Sequence, residues 1–170
     1  NIGNMAFNRC TSLTSITIGS HVSNIGNWAF ANCSSLTSIT IPNSVTSIER
    51  NAFENCSSLT SIVIPNSVTN VGEWAFAYCS SLASVTISNN LASIQYRVFY
   101  ECSSLTSVTI PENITSINSD AFEDCSSLTS ITWNAKNCSD FSESEAAPFY
   151  YCLRIASFTF GNSVEYIPAY

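Results

Sequence analysis

At 170 residues the chain has the length of one ordinary domain, yet only 10% of its residues are charged, against roughly 25% in a typical soluble domain, so Ser, Thr and Asn must carry its solubility. Five basic and twelve acidic residues give a net charge of -7. With no cluster of Lys or Arg to neutralise phosphates, nucleic acid is excluded as a partner, and no apolar run reaches the roughly 20 residues of a membrane-spanning helix, which excludes direct membrane insertion by this segment.

The first residues, Asn1 to Phe7, already carry the periodic pattern of the rest of the chain. The segment is therefore read as a fragment of a longer chain, whose targeting signal and polar capping coils lie outside it. From Cys10 a 23-residue period sets in, with Cys33, Cys56, Cys79, Cys102 and Cys125 in the same phase. Self-similarity at 20 to 29 residues marks a leucine-rich repeat. Leu13, Leu36, Leu59, Leu82, Leu105 and Leu128 each follow a Cys by three residues, and an alternating segment such as Ser38-Ile39-Thr40-Ile41 comes next. That alternation predicts a half-buried strand with the Ile side chains inward. Pro42, Pro65 and Pro111 end the strand, because proline cannot donate to a continuing ladder, and Asn-Ser supplies turn chemistry. Apolar residues twelve and fifteen after each Cys, such as Val45 and Ile48, point inward again.

Each period closes on Phe30, Phe53, Phe76, Phe99 or Phe122, usually after Ala, with Phe7 and Phe149 in phase at the two ends. The bunched apolar residues and the lack of proline predict a short helix or 3₁₀ turn on the return side. One coil is too thin to fold alone, so successive coils must stack. The period breaks once: Cys125 and Cys152 stand 27 residues apart. The additional residues fall within 134–148, which is expected to bulge as a loop before Ile155, Phe158, Phe160, Val164 and Ile167 regain the phase. The expected architecture is an α/β solenoid, a single array over residues 1–170. It is a right-handed superhelix with a parallel sheet on its concave face and short helices or 3₁₀ turns on the return side.

Cys-Ser-Ser-Leu-Thr-Ser-Ile-Thr-Ile-Pro-Asn-Ser-Val-Thr-Ser-Ile, closed by Ala-Phe-x-x-Cys, resembles the BspA-type, or treponemal-type, leucine-rich repeat family over essentially the whole chain. The resemblance implies a surface or secreted protein of a host-associated microbe, binding host or microbial proteins and matrix components. The ligand does not transfer with the fold.

The in-phase cysteines sit where this family places an inward residue. Adjacent Cα atoms near 5 Å would suit a disulfide, but parallel Cβ vectors make its torsion awkward. Buried free thiols are the reading for them. For Cys138, inside the expected loop, a bond to Cys125 or Cys152 stays open. No closely paired ligands suggest zinc. The only histidine, His21, has no nucleophile signature near it and reads as a solvated loop residue. The periodic serines are scaffold, no glycine-rich loop cradles a phosphate, and no catalytic residue, cofactor or metal is expected.

Two faces are candidates for recognition. The sheet face presents Ser15, Thr17, Ser38, Thr40, Ser61, Val63, Ser84, Thr86, Ser107, Thr109, Ser130 and Thr132, followed by Ser157 and Thr159. None is the Trp, Tyr or Arg that usually dominates binding, and a hydroxyl coat that merely keeps the sheet soluble explains it as well. Variation concentrates on the return side, at Trp28, Arg50, Trp74, Tyr96, Arg97 and Tyr100, with Tyr78, Tyr150 and Tyr151 nearby in phase. These aromatics beside mixed charge suit a contact patch, and equally a half-buried packing role against the next coil. The expected loop adds Asp140, Glu143 and Glu145, at a spacing that matches no calcium loop. Sequons at Asn32, Asn55, Asn113 and Asn137 arise freely in an Asn-Ser-rich repeat.

The leading expectation is a cell-surface or secreted adhesion module that binds protein and is not an enzyme. The alternative is a structural spacer carrying another module. Ice binding through the Ser-x-Thr rows is a remote third, because leucine-rich solenoids curve and ice is flat.

Overall fold

In the computed structural model, which describes residues 1–139 and 147–168, the chain is a parallel-strand β-solenoid of about six turns. Two ladders of short strands run along it. The first holds β3 (Ser61–Val63), β5 (Ser84–Thr86), β7 (Ser107–Ile110), β9 (Ser130–Trp133) and β10 (Ser157–Phe160). Here β3 pairs with β5 and β9 lies between β7 and β10, all parallel. Register is one coil throughout, 23 residues for β3–β5 and β7–β9 and 27 for β9–β10: Ser61 opposes Ser84, Val108 opposes Ile131, Ser130 opposes Ser157, and a lone bridge joins Thr17 to Thr40. Like residues therefore form rows. Thr40, Thr86 and Thr109 face solvent while Ile62, Ile64, Val108 and Ile110 are buried.

The second ladder is made of two-residue strands that the sequence pattern did not reveal: β1 (Asn24–Ile25), β2 (Ser47–Ile48), β4 (Asn70–Val71), β6 (Ser93–Ile94) and β8 (Ser116–Ile117). It pairs as β1-β2-β4 and β6-β8. The expected inward residue fifteen after each Cys is the buried half of each pair, so the coil has two walls rather than one wall and a loop.

The return side contains no helix among the described residues, which corrects the α/β expectation. The backbone shows why. Residues two before and two after each Phe from Phe7 to Phe122 adopt positive φ, including Trp28 (53°), Asn32 (62°), Trp74 (60°), Tyr78 (61°), Arg97 (54°) and Glu101 (54°). A left-handed residue ends a right-handed helix at once. The N–H groups then alternate. Ala29, Ala31 and Cys33 donate three residues back, closing turns, while Trp28, Phe30 and Asn32 donate to Arg50, Ala52 and Glu54 of the next coil. The third wall of the solenoid is thus a string of turns hydrogen-bonded across coils. Close approach here also explains Gly72, whose Cβ, if present, would stand 2.5 Å from the Arg50 nitrogen.

Inside, Phe7, Phe30, Phe53, Phe76, Phe99, Phe122 and Phe149 form one stack, with centroids 5.1–5.7 Å apart and planes within 15°. Such separations mean slipped rings, the arrangement the ring quadrupole favours over a face-to-face sandwich. Beside the stack runs a thiol ladder. Cys33, Cys56, Cys79, Cys102, Cys125 and Cys152 each donate Sγ–H to the Phe carbonyl of the coil before, at 3.0–3.3 Å. The Phe30 carbonyl accepts both the Cys33 N–H and the Cys56 thiol, filling its two lone pairs. A small apolar side chain with one weak donor is what this position requires. All eight cysteines are free, Cys138 included.

Surface hydroxyls tie the coils as well. Thr46, Thr60, Thr115 and Thr129 each donate to the carbonyl of the residue in the same phase one coil earlier, at 3.0–3.4 Å. Of the segment expected to bulge, residues 134–139 keep to the coil. Lys136 and Ser139 donate to Glu112 and Thr115, and Ala135 and Cys138 join the core. Asp140, Glu143 and Glu145 lie outside the described residues.

Candidate functional site

Because every coil repeats the same path, residues 23 apart form rows on the surface. The row two residues before each Phe runs Trp28, Asn51, Trp74, Arg97, Asp120, and all of these have positive φ. Asn and Asp tolerate that region, whereas for Trp and Arg it costs on the order of 1 kcal/mol each. Strained residues persist where the surroundings hold them, and those surroundings are visible here. Arg97 lies between its two row neighbours, its guanidinium carbon 5.0 Å from the Trp74 ring centre and its terminal nitrogen 2.9 Å from Asp120.

Adjacent rows complete the site. The Arg97 guanidinium is also 4.9 Å from the centre of Tyr96 and 4.7 Å from that of Tyr100, and 3.3 Å from the Glu123 carboxylate. Trp74 meets Tyr96 edge-on at 5.8 Å, Tyr100 at 5.6 Å and Tyr78 at 6.3 Å, and Tyr78 meets Tyr100 edge-on at 5.3 Å. One cation thus touches three rings and two carboxylates drawn from three coils. The rings stay half-buried, whereas Asp120 and Glu123 are largely covered.

Electrostatics follow from that enclosure. Burial alone would pull the Arg97 pKa down, but its hydrogen bond to Asp120 and the surrounding negative charge hold it above its ordinary value. Burial and the neighbouring Asp120 carboxylate push Glu123 up despite Arg97. Tyr100 is pushed up to about 12 by burial and by its hydrogen bond to Glu101. Tyr78 rises for a similar reason, burial first and then Glu101. Tyr78 and Tyr100 therefore keep their hydroxyls protonated, and the patch holds more carboxylates than cations.

Of the return-side residues singled out from the sequence, the structure gathers Trp74, Tyr96, Arg97 and Tyr100. Arg50 is exposed and pairs with Glu73 at 3.8 Å, beside Trp74, while Trp28 lies two coils away and half-buried. Sequence reasoning missed Asp120 and Glu123 as the partners of Arg97. Their offsets of 23 and 26 residues were the available signal.

The sheet face is different in kind. Ser15, Thr17, Ser38, Thr40, Ser61, Ser84, Thr86, Ser107 and Thr109 are exposed, with Ser130 and Thr132 half-covered, and Val63 is 61% exposed among them. Where that face turns the corner, a groove of about 520 Å³ runs past Val63, Pro65, Asn66, Thr86 and Asn89. No charged or aromatic side chain lines it.

Burial pushes the Cys79 thiol up to about 12 and the Cys138 thiol up to about 11, which removes them as nucleophiles at neutral pH. His21 is exposed. Among the described residues no three His, Cys, Asp or Glu side chains converge to hold a metal ion, and no helix is long and apolar enough to cross a membrane.

Comparison with known proteins agrees with this geometry. The profile of the BspA type leucine rich repeat region matches in six copies, over residues 1–129 and 46–170. A leucine rich repeat protein of T. pallidum superposes with a TM-score of 0.75 at 33% identity, covering 78% of this chain and 61% of that one. A leucine-rich repeat protein from Eubacterium ventriosum matches at 25% identity with a TM-score of 0.64, covering 85% of this chain and 43% of that one. A leucine rich cell surface protein from Faecalibacterium prausnitzii shares the fold at 22% identity and a TM-score of 0.55, over 95% of this chain and 63% of that one. The chain thus spans less than two thirds of the length of each of these. No curated protein matches it. The chain belongs to the BspA-type leucine-rich repeat family.

Proposed function

We propose that this array is a protein-binding, adhesive module displayed at or released from the surface of a host-associated microbe, and that it engages its partner through the return side around Trp74 and Arg97. The observation that carries this reading is the contrast between the two faces. Trp, Tyr and Arg, the residue types that dominate binding energy, are concentrated in one half-buried patch spanning three coils. The sheet face offers repeating hydroxyls and one exposed valine. The Faecalibacterium prausnitzii relative is a cell surface protein, which supports the location.

The test is capture from a panel of host-matrix and microbial-surface proteins on the immobilised array. Trp74→Ser combined with Tyr100→Ser should weaken the strongest interaction by at least about 10-fold, the scale of losing one hot spot. Thr86→Lys with Thr109→Lys, on the opposite face, should leave it within about 2-fold, as surface changes away from a contact do. Circular dichroism on both variants keeps loss of fold apart from loss of contact. An array that captures nothing from the panel, or that is silenced only by the sheet-face pair, contradicts the proposal.

A further inference from the structure

The patch already shows which chemistry its rings accept, because three of them surround a guanidinium of the chain itself. That cation is neutralised internally: Arg97 is bound by Asp120 and Glu123. Glu54 and Glu101 stand beside the outermost aromatics and have no cation, among the described residues. Glu54 accepts only the Asn51 amide at 3.0 Å, and Glu101 takes the Tyr100 hydroxyl. Aromatic rings flanked by such carboxylates attract cations twice, through the ring quadrupole and through full charge.

Resting on the protein-binding reading above, we propose that the partner presents a basic segment, one of whose Lys or Arg side chains seats against Tyr78 and Tyr100 beside Glu54 and Glu101. The net charge of -7 would steer such a segment toward the array from a distance. Burial first, and then the Glu101 carboxylate beside them, raises both tyrosines. The sheet face has no charge with which to prefer one sign over the other.

The experiment measures binding of a labelled Arg-Gly repeat peptide, and of its Glu-Gly counterpart, to the whole array by fluorescence anisotropy. The Arg peptide should bind and the Glu peptide should not. Glu54→Gln with Glu101→Gln should weaken the Arg peptide by about 10-fold, the combined scale of two charge contacts. A matched pair remote from the patch, Glu112→Gln with Glu165→Gln, should change it by less than about 2-fold, as diffuse charge alone does near physiological salt. Equal losses from both pairs, preference for the Glu peptide, or no binding of either peptide would overturn the inference. Panel capture that still depends on Trp74 while the Arg peptide binds indifferently removes only the basic partner. Panel capture that ignores Trp74 removes the recognition surface as well.

Discussion

Phe76→Ala is expected to cost about 3–5 kcal/mol of stability, the range for truncating a fully buried aromatic. Phe76 is wholly buried in the middle of the stack, 5.3 Å from Phe53 and 5.7 Å from Phe99. The remaining rings cannot close the gap, since their backbones are pinned by the bonds from Phe53 to Ala75 and from Phe76 to Val98. The lesion therefore severs coupling between two halves of the array as well as opening a cavity. In a solenoid stabilised by nearest-neighbour contacts, weakening one central interface lets the two sides melt separately. Thermal unfolding should show a midpoint lowered by roughly 6–20 °C and a broadened or split transition. Phe7→Ala, at a half-buried end of the same stack, should cost less than half as much and keep a single transition.

Arg97→Ala is the second large effect, and its size should depend on pH. The substitution strands Asp120 and Glu123, whose side chains are only 9% and 11% exposed. Breaking a buried pair typically costs about 3–5 kcal/mol. Here about 2–4 kcal/mol is expected at neutral pH, because the Arg97 side chain is 26% exposed and water screens part of the interaction. Burial and Asp120 already lift the Glu123 carboxyl above its ordinary value, with Arg97 opposing them. A carboxyl raised by folding weakens the fold when ionised. That penalty is complete above its folded pKa and absent below its unfolded one. Removing Arg97 lifts the folded value further, so the deficit should be full at pH 7 and shrink as pH falls through the carboxylate range. Urea titrations of both proteins at pH 7 and pH 4 read this directly. A deficit that does not change with pH would assign the loss to packing against Trp74, Tyr96 and Tyr100 instead.

The repeat was legible in the sequence because burial in a solenoid is strictly periodic. The Phe column, the Cys column and the alternation at Ser38-Ile39-Thr40-Ile41 each follow from side chains that meet their own copies one coil away. Other features lie below what periodicity can show. A strand of two residues, such as Ser47–Ile48, has no room for an alternating pattern, and its pairing is visible only once the coils are stacked. Around Ala75 and Phe76 the composition favours a helix, since Trp74 and Tyr78 have no preference for left-handed backbone. Coil-to-coil bonds override that local tendency. The hint was present in other coils, where Asn51, Asn55, Asp120 and Asp124 occupy the same two phases and tolerate positive φ.

The recognition patch was legible in part. Trp74, Tyr96, Arg97 and Tyr100 stand out as variable residues in an otherwise uniform repeat. Which of them meet depends on how side chains lean between neighbouring rows. Trp28 shares the phase of Trp74, but one period further on the chain has Asn51 where Trp74 is followed by Arg97, and no comparable cluster forms around it among the described residues. Cys138 was misplaced for a similar reason. The longer spacing between Cys125 and Cys152 located the additional residues only to within 134–148, whereas coil hydrogen bonding continues through Ser139.

Footprinting the array with its captured partner by hydroxyl-radical oxidation compares the two faces in a single sample. Recognition through the return side predicts protection at Trp74, Tyr78, Tyr96 and Tyr100, with Val63 and its neighbours on the sheet as reactive as in the free protein. Protection of Val63 together with unchanged reactivity of the four aromatics would show that the partner binds the other wall.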